Sequence, residues 1–152
     1  MLALALILSF IDSLIPMPIP IPGVKLGLAN LAVLFALYRL GEADAILISI
    51  ARVILSGMLF SGMSGIIYSL AGAFLSLTVM ILLHRLTDFH IVTISVFGSV
   101  AHITGQLVVA GLWTDMSIVS YYAPILLITA FGTGIVIGIL TSVLHRNIRE
   151  IV

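Results

Sequence analysis

Cysteine is absent from this chain of 152 residues, so disulfides, thiolate metal sites and redox thiols are excluded. Charge is scarce. Six basic and six acidic residues make 8% of the chain, where a soluble domain carries about 25%. The charges sum to zero, which leaves no basic footprint for nucleic acid. Hydrophobic residues are abundant, at 62%, and the mean hydropathy is +1.36. Such a chain cannot cover a surface facing water, and it reads as an integral membrane protein. Met1 to Ile15 lacks a basic leading region and a small-residue cleavage site, so it does not read as a signal peptide.

Catalytic signatures are missing as well. The acids Asp12, Glu42, Asp44, Asp88, Asp115 and Glu150 are scattered. No acidic pair is spaced to hold Mg²⁺ against a diphosphate. No phosphate-binding glycine loop, HExxH or GxSxG occurs. The expectation is a protein that is not an enzyme and holds no cofactor or metal.

What is present is a series of long apolar runs. A helix needs about 20 apolar residues to cross hydrocarbon. Six candidates follow: Met1–Ile15, Val24–Leu40, Ala43–Phe60, Met63–His84, Ile91–Trp113 and Tyr121–Leu144. They are continuous rather than alternating, which argues against a β-barrel. No linker divides them, so residues 1–152 form one membrane domain, a bundle of six helices. Arg39, Arg85, Arg146 and Arg149 fall on one side of such a bundle. The positive-inside rule then puts both termini in the cytoplasm, with the loops near Pro16, Ser61 and Asp115 outside.

Polar residues inside these runs are costly and therefore informative. Asp12 closes the first run, and Lys25 and Asn30 open the second. Arg52 sits mid-way along the third, with His102 and Gln106 one turn apart on the fifth. All project to the middle or outer half. Lys25, Asn30, Arg52, His102 and Gln106 are the expected liners of a pocket open outward. The two cations outnumber Asp12, which favours an anionic or carbonyl-rich ligand. A channel would need polar residues along its whole length, and the inner half is apolar. Plainer readings stand beside these. Asp12 and Lys25 can form an ion pair, and His102 and Gln106 can be interhelical glue. Trp113, Tyr121 and Tyr122 can be interfacial anchors, and His84, His90 and His145 lie near the cytoplasmic interface.

Before the second run, "PMPIPIPG" alternates prolines with apolar residues. That pattern favours a stiff, extended backbone, either a plain connector or a lid carrying Pro18, Pro20 and Pro22 with Asp12 beside it. Small residues recur every four positions. Ala5, Ser9 and Ser13 do so on the first run, Gly65, Ser69 and Ala73 on the fourth, and Gly134 and Gly138 on the sixth. The last two sets read as internal packing, and the first as a stripe able to face a partner.

The segments "IPGVKLGLAN", "ARVILSG" and "AHITGQLVVA" together resemble the Gx transporter family, also labelled heptaprenyl diphosphate synthase component I. The likeness runs from Asp12 to Gly138. The family's fifth-helix pattern, Gly-Ala-x-x-His-Asn-x-x-Gln, is matched by Gly98, His102 and Gln106, with Ser99 in place of the alanine and Ile103 in place of the asparagine. The family is in turn similar to the substrate-binding S components of energy-coupling factor (ECF) transporters. That resemblance implies a plasma-membrane bundle that captures a small vitamin-, quinone- or isoprenoid-related molecule from outside. It implies the proline run as lid, and Ala5 and Ser9 as a docking stripe for a transmembrane coupling protein with two ATPase subunits. The alternative is a non-catalytic membrane accessory subunit of a heptaprenyl diphosphate synthase.

Overall fold

A computed structural model describes residues 1–15, 25 and 27–149 of the chain. Pro18, Pro20 and Pro22 lie outside the described residues. The described residues are helical, with no strand. Helix α1 spans Leu2–Leu14, α2 Asn30–Arg39, α3 Glu42–Ser56, α4 Gly62–Leu86, α5 Ile91–Trp113 and α6 Met116–Arg149. Three stretches are long and apolar enough to cross a membrane: Glu42–Leu86, Ile91–Trp113 and Met116–Asn147. Leu2–Leu14 and Asn30–Arg39 are shorter apolar helices. This is a helical membrane protein, and its outer faces present large apolar side chains such as Leu47, Met58, Phe74, Leu112 and Ile128.

The stretch Glu42–Leu86 is not straight. A straight helix would part Glu42 from Arg85 by about 65 Å, yet the Arg85 guanidinium grips both carboxylate oxygens of Glu42. The chain therefore reverses between them. After α3 the backbone widens into a π turn over Gly57–Ser61, where the N–H of Gly62 reaches the carbonyl of Gly57. Gly62 then takes φ 69° and ψ −175°, a conformation open to glycine at no steric cost. Helices α3 and α4 are thus an antiparallel hairpin with its tip at Ser61–Gly62.

Helices α4, α5 and α6 pack through small residues. A Cβ on Gly105 would lie 2.5 Å from the Ala71 carbonyl oxygen, and one on Gly72 would lie 2.9 Å from that of His102. Cβ atoms on Gly134 and Gly138 would lie 2.7 Å and 2.6 Å from the Cα atoms of Val96 and Val92. The GxxxG of α6 is therefore an internal seam against α5, allowing close approach of two backbones. Two residues of the stripe on α1, Ala5 and Ser9, also turn inward and are buried in the bundle, while Ser13 is exposed. This corrects the expectation that Ala5 and Ser9 face a docking partner: a stripe enclosed by its own chain offers no surface. Ile7, Phe10, Ile11 and Leu14 form the exposed face of α1 instead.

Helix α2 corrects a second expectation. The run read as Val24–Leu40 is not helical at Lys25 and Gly27, and its helix begins at Asn30. Every residue from Asn30 to Leu37 is buried, as expected of a helix apolar on all sides. Its ten residues rise about 15 Å, half the depth of the hydrocarbon. Non-helical backbone of residues 25 and 27–29 leads into it, with Gly27 at φ 81°. At the far end of the bundle, Tyr38 packs its ring on His84 and His145, with centroids 4.6 Å and 5.9 Å apart. Asp115 starts α6, accepting from the N–H and hydroxyl of Ser117 at 3.0 Å and 2.8 Å. Those two donors hold its carboxyl below the usual carboxylate range.

Candidate functional site

Non-helical backbone at membrane depth survives only where protein satisfies its polar groups. The lead-in to α2 is such a backbone, and three helices supply its partners. Asp12 Oδ2 at the end of α1 accepts from the N–H of Gly27 at 2.9 Å and of Leu28 at 3.3 Å. Gln106 Oε1 on α5 accepts from the N–H of Lys25 at 3.2 Å. The Lys25 ammonium donates to Ser61 Oγ at the tip of the α3–α4 hairpin. The Gly27 carbonyl accepts from Asn30 N–H at 2.9 Å, starting α2. An acid and an amide inside an apolar bundle thus have a direct physical cause: they replace the hydrogen bonds that an interrupted helix forgoes.

A second layer lies beneath. Arg52 on α3 donates from Nη2 to Asn30 Oδ1 at 3.0 Å. Gln106 Nε2 and His102 Nε2, one turn apart on α5, are 3.0 Å from each other. The His102 ring lies between Gly27 and Gly72. A Cβ at Gly27 would fall 3.2 Å from His102 Cδ2, and one at Gly72 would fall 2.9 Å from Cε1. Gln106 is 0% exposed, His102 2%, Asn30 3%, and Asp12 and Arg52 5% each. Lys25 and Arg52 both act electrostatically on the Asp12 carboxylate.

All five expected liners, Lys25, Asn30, Arg52, His102 and Gln106, therefore come together at one end of the bundle, with Asp12 beside them. They contact one another rather than standing apart around a wide hollow. Two grooves of about 320 Å³ and 340 Å³ lie elsewhere on the bundle, one between α3 and α4 and one between α5 and α6. Ser61, Gly27 and Gly72 complete the site and were not singled out from the sequence. The signal for Gly27 is its place in "IPGVKLGLAN", three residues before Asn30. Trp113 sits apart from the polar cluster, its ring 6.0 Å from that of Tyr68. Tyr121 is exposed and packs edge-on to Tyr122.

The fold and the site define a helical membrane protein with a polar cluster enclosed at one end. The family described as heptaprenyl diphosphate synthase component I matches residues 1–144, and the chain belongs to that family. No curated protein and no solved structure matches the chain.

Proposed function

We propose that the protein is a membrane-embedded capture subunit of an importer similar to ECF transporters, binding a small molecule at the Arg52–His102 cluster. The observation that carries this reading is the convergence of Lys25, Asn30, Arg52, His102 and Gln106, from a non-helical lead-in and three helices, inside an otherwise apolar bundle. Groups so costly at membrane depth mark ligand or ion sites by default. Six helical segments would cross or enter the bilayer of the plasma membrane, with both termini cytoplasmic. Arg39 and Arg85 lie at the end opposite the cluster, as the positive-inside rule requires of a cluster that opens outward. Lys25, gripped at its ammonium and at its backbone, and Asp12 would govern release of the lead-in to α2. The chain would carry out no chemistry itself, and ATP hydrolysis would be done by two partner subunits through a coupling protein.

A second reading follows from the family's description. The chain would be a non-catalytic membrane subunit that tethers a soluble prenyl synthase through its cytoplasmic end. Purification of the tagged chain from native membranes separates the two. Recovery of an ABC-type ATPase pair with a transmembrane partner is the expected result. Recovery of a prenyl synthase without ATPases would transfer the assignment to the second reading.

A further inference from the structure

We propose that the cluster is built for an oxyanion, a carboxylate or phosphate group held by Arg52 and Asn30. The proposal rests on the capture reading and narrows the class of ligand. Gln106 Oε1 accepts the Lys25 N–H, so its Nε2 is the donor facing His102 Nε2. His102 is then a neutral imidazole, accepting at Nε2 and carrying its proton on Nδ1, the ring nitrogen on the Gly72 side. Asp12 Oδ2 already takes two backbone N–H groups, and Asn30 Oδ1 takes Arg52. Three nitrogens of the cluster are buried without a partner: His102 Nδ1, on the Gly72 side, and Asn30 Nδ2 and Arg52 Nε, which belong to the two side chains joined by the Arg52–Asn30 hydrogen bond. Both members of that joined pair are donors.

The charges point the same way. Lys25 and Arg52 bring two positive charges, and Asp12 brings one negative. Arg52 is buried and Lys25 half-buried, and a surplus cation so placed in a membrane bundle is unfavourable unless something compensates it. A ligand with two acceptor oxygens and a negative charge satisfies both orphan donors and the surplus charge together. Guanidinium is suited to such a pair of oxygens by its planar fork. A neutral hydroxyl compound would leave the charge uncompensated, and an amine would add to it.

The oxyanion could be free in solution or be the headgroup of an amphiphile. The groove between α3 and α4 is lined by Ile46, Ile50, Leu70, Phe74 and Leu77, with Ser49, one turn before Arg52, on its wall. Its volume of about 320 Å³ is at the lower end of the range for ligand pockets.

The test is thermal unfolding of the full chain in a nonionic detergent, with inorganic phosphate, acetate or dodecyl phosphate, against sodium chloride at equal ionic strength. At least one oxyanion should raise the midpoint saturably, by about 2–4 °C near several times its Kd. Arg52→Gln should remove that rise. A response to dodecyl phosphate alone assigns the oxyanion to an amphiphile, and an equal response to phosphate or acetate assigns it to solution. Asn30→Asp replaces an orphan donor by an acceptor and cancels the surplus charge. It should unfold at a higher temperature than the unliganded parent and lose the oxyanion response. No rise above chloride in any arm, or a lower midpoint for Asn30→Asp, overturns the proposal. Stabilisation by neutral vitamins but not by oxyanions would leave capture standing and remove the oxyanion. Oxyanion stabilisation without any ATPase partner would do the reverse.

Discussion

Asp12 and Glu42 are both acids at helix ends, and the bundle uses them in opposite ways. Asp12 is buried at the end of α1, where its carboxylate satisfies backbone N–H groups of Gly27 and Leu28. Glu42 opens α3 at the other end and pairs with Arg85, whose side chain is 65% exposed. The difference lies in the backbone nearby. At Glu42 the chain is helical, its own carbonyls serve its N–H groups, and a first-turn acid merely complements the helix dipole. At Asp12 the neighbouring backbone is not helical, and a side chain has to do what a helix would have done. The buried acid is thus tied to an interrupted helix, and the exposed acid to an intact one.

Asp12→Ala should break this contrast most severely. It strands two backbone donors and leaves Lys25 and Arg52 without their counter-charge. Removing one partner from a buried charged arrangement costs about 3–5 kcal/mol, a large share of the stability of a typical domain. Asp12→Asn keeps an acceptor for the N–H groups but not the charge, and should fall between Asp12→Ala and the parent. Unfolding in detergent with a graded denaturant reads both. Equal stability of Asp12→Ala and the parent would mean that the lead-in to α2 is satisfied by other groups.

Gly27 sharpens the comparison at the next level. Its φ of 81° disfavours any residue with a Cβ, at roughly 1–2 kcal/mol. The added methyl would also lie 3.1 Å from Asn30 Nδ2 and 3.2 Å from His102 Cδ2. Gly27→Ala should therefore destabilise by about 1–3 kcal/mol and disturb ligand binding through His102. Gly132 on α6 is the control, because a Cβ there meets nothing within 4 Å and its φ is ordinary. Gly132→Ala should be neutral or slightly stabilising, since alanine is the better helix former. The same unfolding series ranks the pair, and equal costs would remove Gly27 from the site.

Hydropathy made most of this fold legible. The fifth apolar run coincides with α5, and the third and fourth fall within the α3–α4 hairpin, because long runs of apolar residues allow few alternatives in a bilayer. The five polar residues of the cluster could be picked out too, since polar residues at membrane depth are few. The start of α2 was not. "VKLGLAN" is apolar enough to read as helix, and only the conformation of Gly27 shows that it is lead-in. The small-residue stripe on α1 misled for a related reason. Spacing of four shows that one face is small, and the packing partner decides whether that face meets the same chain or another. Ser61 escaped notice because a serine at a hairpin tip is ordinary until Lys25 reaches it.

Glu42 provides the last and smallest effect. Its carboxylate pairs bidentately with Arg85 across the open end of the α3–α4 hairpin, and water reaches both groups. Exposed ion pairs contribute little, because solvent screens them and two long side chains must be ordered to form them. The reversal at Gly62 and the close approach at Gly57, where a Cβ would collide with Ile66 Cγ1, hold the hairpin regardless of this pair. Glu42→Gln should therefore leave the unfolding midpoint within experimental error of the parent, and added salt should change neither protein relative to the other. A large loss on Glu42→Gln would mean that this end of the bundle depends on its charges as the other end does, and the contrast with Asp12 would fail.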